Sequence, residues 1–114
     1  MKGADAEDRA LHYLQRQGLT LVQRNFRARG GEIDLVMRER DQLVLVEVRK
    51  RSSPRYGDAA ESVDARKRGR IVLAARWLLM QQPALSRLAT RFDVIAIDGE
   101  DRINWIRAAF DAGD

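Results

Sequence analysis

The feature that most constrains the fold is an apolar run from Leu43 to Val46 that leads directly into an acidic residue, Glu47. Side chains alternate between the two faces of a β-strand, so a run that is apolar at every position predicts a strand buried on both faces. Glu47 then points the same way as Leu43 and Leu45, into a space that excludes water. An ionised carboxylate there is costly unless a cation or hydrogen bonds compensate it.

A second carboxylate occurs in a similar setting, because Asp34 has apolar neighbours on both sides. It lies in residues 32–39, which together with residues 42–50 and the polar pair Arg40-Asp41 between them predict a β-hairpin. Two acids are therefore expected on neighbouring strands, enclosed by aliphatic side chains. The functional question is which positive partner keeps Asp34 and Glu47 ionised.

The rest of the chain predicts an α/β fold with the order α-β-β-β-α-β and a mixed sheet. The predicted elements are a helix at 4–17 ended by Gly18, a strand at 19–26, a turn or bulge at 27–31, the hairpin strands, a loop at 52–58, a helix at about 59–82 capped by Asp58 and ended by Pro83, a strand at 91–98, an edge strand at 102–106 and a helical turn at 107–110. The long helix can return the chain for a parallel fourth strand. Its second half, residues 71–79, is apolar nearly all round and is expected to be covered.

Length and composition exclude several classes of protein. The 114 residues predict one domain over 1–114, since they suffice for a single core. The chain has no cysteine, which excludes disulfides and thiolate chemistry, and its single histidine, His12, is expected at the surface. A catalytic triad and a zinc site are therefore not indicated. No segment resembles a signal peptide or a membrane span, so a cytoplasmic protein without a membrane partner is expected.

Basic residues are concentrated next to the two acids. The formal net charge is +4, and the cluster between residues 49 and 70 consists of Arg49, Lys50, Arg51, Arg55, Arg66, Lys67, Arg68 and Arg70. It begins beside Glu47, so the positive field is strongest near the expected buried acids. This placement favours a surface that faces phosphates, and the alternative is an ordinary solvated surface.

Two motifs carry a resemblance to a known family. GGEIDLV at residues 30–36 and VEVRKRSS at residues 46–53 together resemble the PD-(D/E)XK nuclease signature. More narrowly, the chain resembles the YraN-like family of small bacterial predicted endonucleases, which are similar in fold to archaeal Holliday-junction resolvases. The likeness also includes Gly3, Glu7, Arg24-Asn25, Tyr56-Gly57, Lys67 and residues 91–94. It implies a restriction-endonuclease-like fold.

The resemblance implies a metal-dependent nuclease. Glu7, Asp34 and Glu47 match the metal-site acids of the resolvase-like nucleases. The resulting hypothesis is that Asp34, Glu47 and the Val48 carbonyl hold Mg²⁺ or Mn²⁺, with Glu7 as an outer-shell or second-metal ligand. Arg49 would contact the scissile phosphate. The implied activity is structure-selective cleavage of branched or junction DNA.

Other basic residues are expected to contact the nucleic-acid backbone without reading its sequence. They are Arg27, Arg29, Arg51, Arg55, Arg66 and Lys67. Resolvase-like enzymes act as two-fold dimers on symmetric junctions, so the resemblance also implies a homodimer.

One departure from the pattern leaves other functions open. Arg49 stands where the nuclease signature has lysine, and an arginine stays protonated and cannot act as a base. Lys67, on the facing helix, is expected to bring an amine near. The alternatives are a metal-free ion network of Asp34 and Glu47 with Arg49, a nucleic-acid-binding module that has lost catalysis, and a scaffold subunit that docks a partner through the helix half containing Trp77.

Overall fold

The fold was analysed in a computed structural model, which describes residues 3–50 and 63–112. Its elements are α1 (Gly3–Arg16), β1 (Thr20–Ala28), β2 (Gly31–Glu39), β3 (Gln42–Lys50), α2 (Ala65–Gln81), a 3₁₀ helix (Pro83–Arg87), β4 (Ala89–Ile97) and β5 (Ile103–Phe110). The five strands form one sheet in the order β1-β2-β3-β4-β5. β3 and β4 are parallel, and the other neighbouring pairs are antiparallel. The predicted α/β class, meander and parallel crossover are confirmed.

Strand β3 lies at the centre of the sheet and is covered on both faces. Leu43 and Leu45 belong to the hydrophobic cluster beneath α2. Val44 and Val46 belong to the cluster beneath α1. All four side chains are at most 1% exposed, as the unbroken apolar run predicts. Glu47 continues the alternation of Leu43 and Leu45, toward α2.

The end of α1 follows directly from the sequence. Gly18 has a φ of 98°, which glycine adopts without steric cost. The amide of Leu19 donates to the Leu14 carbonyl and that of Gly18 donates to the Gln15 carbonyl, which is the Schellman arrangement. Leu14 and Leu19 are both buried, so this turn also ties α1 to the core.

The paired glycines have separate roles. Gly30 has a φ of 88° and makes the turn between β1 and β2. Gly31 lies under α2, and a Cβ added there would overlap the backbone carbonyl of Arg70. The pair therefore serves the turn and the close packing of α2 on β2.

Helix α2 begins later than predicted. Asp64 has extended backbone angles, and its side chain accepts a hydrogen bond from the Lys67 amide at 2.9 Å, so Asp64 is the N-cap. The prediction of a start at Asp58 is wrong in this respect, because capping depends on which acid can reach the free amides of the first turn. Asp58 itself lies outside the described residues, as do Arg51 and Arg55.

Two further predictions are corrected. The second half of α2 is not covered all round, since Leu73, Trp77 and Met80 form an exposed stripe. The last segment is strand rather than a helical turn, because β5 pairs with β4 as far as Phe110. Phe110 stacks on Phe92 with ring centroids 5.0 Å apart. Pairing with β4 and this ring contact outweigh the helical preference of the local sequence.

No helix among the residues that the structure describes combines the length and the apolar character needed to span a bilayer.

Candidate functional site

Glu47 on β3 is acidic and yet only 4% exposed. The Lys67 ammonium on α2 lies 3.6 Å from Glu47 Oε2, and the Arg49 guanidinium lies 3.5 Å from the same oxygen. Glu47 Oε1 is buried and has no hydrogen-bond partner within the described residues 3–50 and 63–112. Both cations therefore approach one oxygen, Oε2, at distances longer than a strong charge-assisted hydrogen bond.

Asp34 lies at the point where the pairing of β2 with β3 ends. The last paired residues are Leu35 and Val46. Beyond them the backbone amide of Val48 donates a hydrogen bond to Asp34 Oδ2 at 2.8 Å. Asp34 is half-buried rather than fully enclosed as predicted, because the sheet opens at its position.

The two carboxylates perturb each other. Burial raises the pKa of Glu47 to about 7, and the negative charge of Asp34 adds to the increase. The charges of Lys67 and Arg49 act in the opposite direction without cancelling it. Near neutral pH the pair therefore holds a proton that a cation could displace, as expected for a site that binds positive charge.

Glu7 belongs to the same electrostatic neighbourhood. It is half-buried on α1, and its pKa is raised by burial and then by the charge of Asp34. A hydrogen bond from Asn25 and the nearby Arg24, whose Nη2 lies 3.6 Å from Glu7 Oε1, partly oppose the increase. The charge of Asp34 thus acts on both Glu7 and Glu47, so Asp34 lies within electrostatic range of each of the other two predicted acids.

These acids do not form a set of three side-chain ligands around one point. Within residues 3–50 and 63–112, no three His, Cys, Asp or Glu side chains are arranged to hold a metal ion. A cation here would need the oxygens of Asp34 and Glu47 together with backbone and water oxygens. Mg²⁺ commonly binds in this way, because it retains several waters. The residues fit such an ion, and the orphaned Glu47 Oε1 is the strongest sign of it.

Basic side chains line two open grooves, one of which adjoins Glu47 through Arg49 and Lys67. One groove of about 300 Å³ is lined by Arg49, Asp64, Arg66, Lys67 and Arg70. A second of about 270 Å³ is lined by Arg27, Ala28, Gly30, Gly31, Glu32 and Arg70. Arg29 is exposed at the intervening β1–β2 turn. Of the predicted backbone-contacting residues, those in the described part of the chain therefore lie on or beside one surface, which we call the basic surface.

One buried acid was not singled out by the sequence analysis. Asp93 on β4 is 0% exposed. It accepts two hydrogen bonds from the Arg91 guanidinium at 2.9 and 3.0 Å, one from Trp105 Nε1 at 2.8 Å and one from the Ala108 amide at 2.9 Å. Its oxygens are saturated, which gives it a structural role. The available signal was the same as for Glu47, namely an acid within an apolar strand.

Fold and site together define an α/β domain whose central sheet carries a pair of interacting carboxylates beneath a basic helix. The model of the uncharacterised protein family UPF0102 matches residues 6–97. A UPF0102 protein of Dechloromonas aromatica is 51% identical over 113 residues, covering 99% of this chain and 91% of the relative. One of Ectopseudomonas mendocina is 49% identical over 112 residues, covering 96% and 94%. The chain belongs to the UPF0102 family, which confirms the family part of the resemblance.

Proposed function

We propose that this protein is a Mg²⁺- or Mn²⁺-dependent endonuclease that hydrolyses phosphodiester bonds of DNA, with branched or junction DNA as its substrate. One observation carries the proposal: Glu47 Oε1 is buried without a hydrogen-bond partner in the described part of the chain, and a second carboxylate, Asp34, lies near enough to raise the pKa of Glu47. The PD-(D/E)XK-like motifs around these two residues support the assignment to that nuclease superfamily, and the adjacent basic surface suits a polyanionic substrate.

The requirement for a cation follows from charge. Two interacting carboxylates, one of them buried, are costly when both are ionised, and the cations of Lys67 and Arg49 reach only Glu47 Oε2. Asp34, Glu47 and the Val48 carbonyl would hold the metal ion, with Glu7 in an outer position. When bound, such an ion neutralises phosphate oxygens and lowers the pKa of a coordinated water.

The remaining residues have roles that do not depend on the metal. Arg49 lies in the same groove as Lys67, and its fixed charge and planar donors suit a non-bridging phosphate oxygen. Lys67 is only partly exposed, so its ammonium acts where water is scarce and electrostatic interactions are stronger. Together they would orient the scissile phosphate over Asp34 and Glu47.

The direct test is a cleavage assay on linear, flapped and four-way DNA with and without Mg²⁺. We expect nicking of branched substrates that requires the ion and disappears in Asp34→Asn and in Glu47→Gln. Asp41→Asn is the matched control, because Asp41 is an exposed acid at the other end of the β2–β3 hairpin. Cleavage that persists in both site variants would exclude this site as the catalytic centre.

Metal binding can be measured without DNA. Titration calorimetry with Mn²⁺ is expected to give one binding event in the parent and in Asp41→Asn, and none in Glu47→Gln. Crystals soaked in Mn²⁺ should have an anomalous peak between Asp34 and Glu47. If guanidinium or ammonium groups saturate the carboxylates of Asp34 and Glu47 in these crystals, the site is a metal-free ion network and the metal-site proposal is rejected.

A second candidate function is favoured by Arg49. Arginine in place of the signature lysine removes a group that could lose its proton, which is expected in a nucleic-acid-binding module that has lost catalysis. This candidate predicts DNA binding by the parent, equal binding by Asp34→Asn, and no Mg²⁺-dependent product with any substrate. Detection of product that Asp34→Asn does not form would reject it.

A further inference from the structure

We propose that a nucleic-acid strand leaving the carboxylate site crosses α2 toward the β1–β2 turn, and that Arg70 binds one of its backbone phosphates midway. The inference rests on the proposed function, because it takes Asp34 and Glu47 as the point from which the strand departs. It adds a phosphate-binding residue and a direction to that function.

The two grooves of the basic surface meet at Arg70. The groove beside Glu47 contains Arg49 and Lys67. The groove at the β1–β2 turn contains Gly30 and Arg27, an exposed arginine that is ion-paired with Glu32 at 3.6 Å. Arg70 lines both grooves. A strand that lies in one groove and continues into the other must therefore pass over its guanidinium.

The position and orientation of Arg70 suit the binding of an anion. It is exposed, and its Nε donates to the Gly30 carbonyl at 3.4 Å, a long hydrogen bond that points the side chain toward the β1–β2 turn. Across the described residues, its guanidinium forms no ion pair with a carboxylate. Its terminal nitrogens are thus available for the two-donor contact that arginine makes with phosphate.

Spacing along the helix supports a continuous path. Lys67 and Arg70 are three positions apart on α2, which makes them neighbours on one surface at roughly 5–6 Å between Cβ atoms. Gly31 has no side chain, so α2 packs directly on β2 and Arg70 lies next to the turn. The path therefore runs from Lys67 over Arg70 to the turn at Gly30.

The other side of the acid site does not suit phosphates. Toward α1, Arg24 is ion-paired with Asp8 at 2.8 Å and with Glu7 at 3.6 Å. Its charge is neutralised there, and the helix presents further acid at Asp5. Repulsion from α1 and attraction by α2 give the strand one favourable direction.

Salt-dependent binding tests the path without requiring cleavage. Affinity for a fluorescein-labelled DNA duplex would be measured by anisotropy in EDTA over a series of NaCl concentrations. The logarithm of the association constant falls linearly with the logarithm of the salt concentration, and each phosphate contact adds about 0.9 to the steepness of this slope. We expect Arg70→Ala to reduce the slope by about 1, and Arg66→Ala with Arg70→Ala by about 2.

The control is Arg87→Ala, which removes the same charge at the end of the 3₁₀ helix, beyond α2. It should retain the parental slope, and circular dichroism would verify that each exposed-site variant is folded. An unchanged slope in Arg70→Ala, or an equal reduction in Arg87→Ala, would overturn the proposed path. If Arg70→Ala alone reduces the salt slope but the parent never cleaves DNA, the path is retained and hydrolysis is rejected. If the parent cleaves DNA but Arg70→Ala has the parental slope, hydrolysis is retained and the path is rejected.

Discussion

The Lys67 ammonium of α2 lies 3.6 Å from the carboxylate of Glu47 on β3. In the nuclease signature the lysine comes from the strand itself, two positions after the acid, where this chain has Arg49. Here a residue of the facing helix brings an amine to the same carboxylate, as the sequence analysis expected. Although position 49 is arginine, an amine therefore lies beside Glu47.

Glu47→Gln is expected to change how stability depends on pH. The pKa of Glu47 is raised from 4.5 to about 7 in the folded protein, mainly by burial. Between these values the folded state binds more protons than the unfolded state, so the free energy of unfolding falls as pH rises. Glutamine at position 47 cannot titrate, so the variant lacks this pH-dependent loss of unfolding free energy, which is on the order of 1 to 3 kcal/mol. Urea unfolding in EDTA at about pH 5 and about pH 8 measures it.

The same unfolding experiment also tests whether Glu47 helps to bind Mg²⁺. Adding Mg²⁺ at the higher pH should stabilise the parent and leave Glu47→Gln unchanged, because a ligand stabilises only the state that binds it. Asp41→Asn should behave like the parent, since Asp41 is exposed. Parallel pH profiles for parent and Glu47→Gln would contradict the raised pKa.

If the protein is the proposed Mg²⁺-dependent nuclease, Arg49→Lys is expected to accelerate DNA cleavage. A lysine here restores the signature and can lose its proton, which arginine cannot do. We expect a gain of about 100-fold in the single-turnover rate, at the low end of general acid–base effects. Arg66→Lys, in the same groove, is the matched control and should be neutral. If Arg49→Lys is no faster while Lys67→Met abolishes cleavage, the helix amine already performs this role.

Alanine at two glycines should have opposite effects on stability. A Cβ at Gly31 would overlap the Arg70 carbonyl, so Gly31→Ala must push α2 away from β2 and is expected to cost about 1–3 kcal/mol. Gly69 lies within α2, and a Cβ there has no atom within 4 Å. Gly69→Ala should therefore stabilise by about 0.5–1 kcal/mol through its helix propensity. Denaturant midpoints measure the stability of both variants. A shift of the two midpoints in the same direction would contradict the packing argument.

Asp93→Ala is expected to be strongly destabilising. It would leave the Arg91 guanidinium partly unpaired and remove the acceptor for Trp105 Nε1. Breaking a buried ion pair in this way costs roughly 3–5 kcal/mol. Thermal unfolding provides the measurement. The control, Glu100→Ala, removes an exposed partner of Arg102 and should leave the midpoint nearly unchanged. A midpoint for Asp93→Ala close to that of the control would show that the network contributes little.

Much of the fold could be predicted from local pattern. Residues 42–50 were predicted as a buried strand and form β3 (Gln42–Lys50), because an unbroken apolar run has few other stable environments. The end of α1 at Gly18 follows from a backbone preference, because glycine adopts its φ of 98° without steric cost. The polar pair Arg40-Asp41 forms the predicted turn, although Arg40 has a φ of 55°, which the strand pairing imposes against its local preference. Residues 107–110 could not be assigned in this way, since the hydrogen bonds that make them strand come from β4.

The two buried acids, Glu47 and Asp93, show most clearly what the local sequence could not predict. Glu47 and Asp93 carry the same local signal, an acid within an apolar strand, and local sequence assigns both to the interior. Arg91, Trp105 and Ala108 saturate Asp93, whereas Glu47 Oε1 has no hydrogen-bond partner among the residues that the structure describes. Hydrophobic periodicity is a property of neighbours along the chain and could be predicted. The compensation of a buried charge depends on groups that folding brings from distant segments, and it separates the structural acid from the candidate functional one.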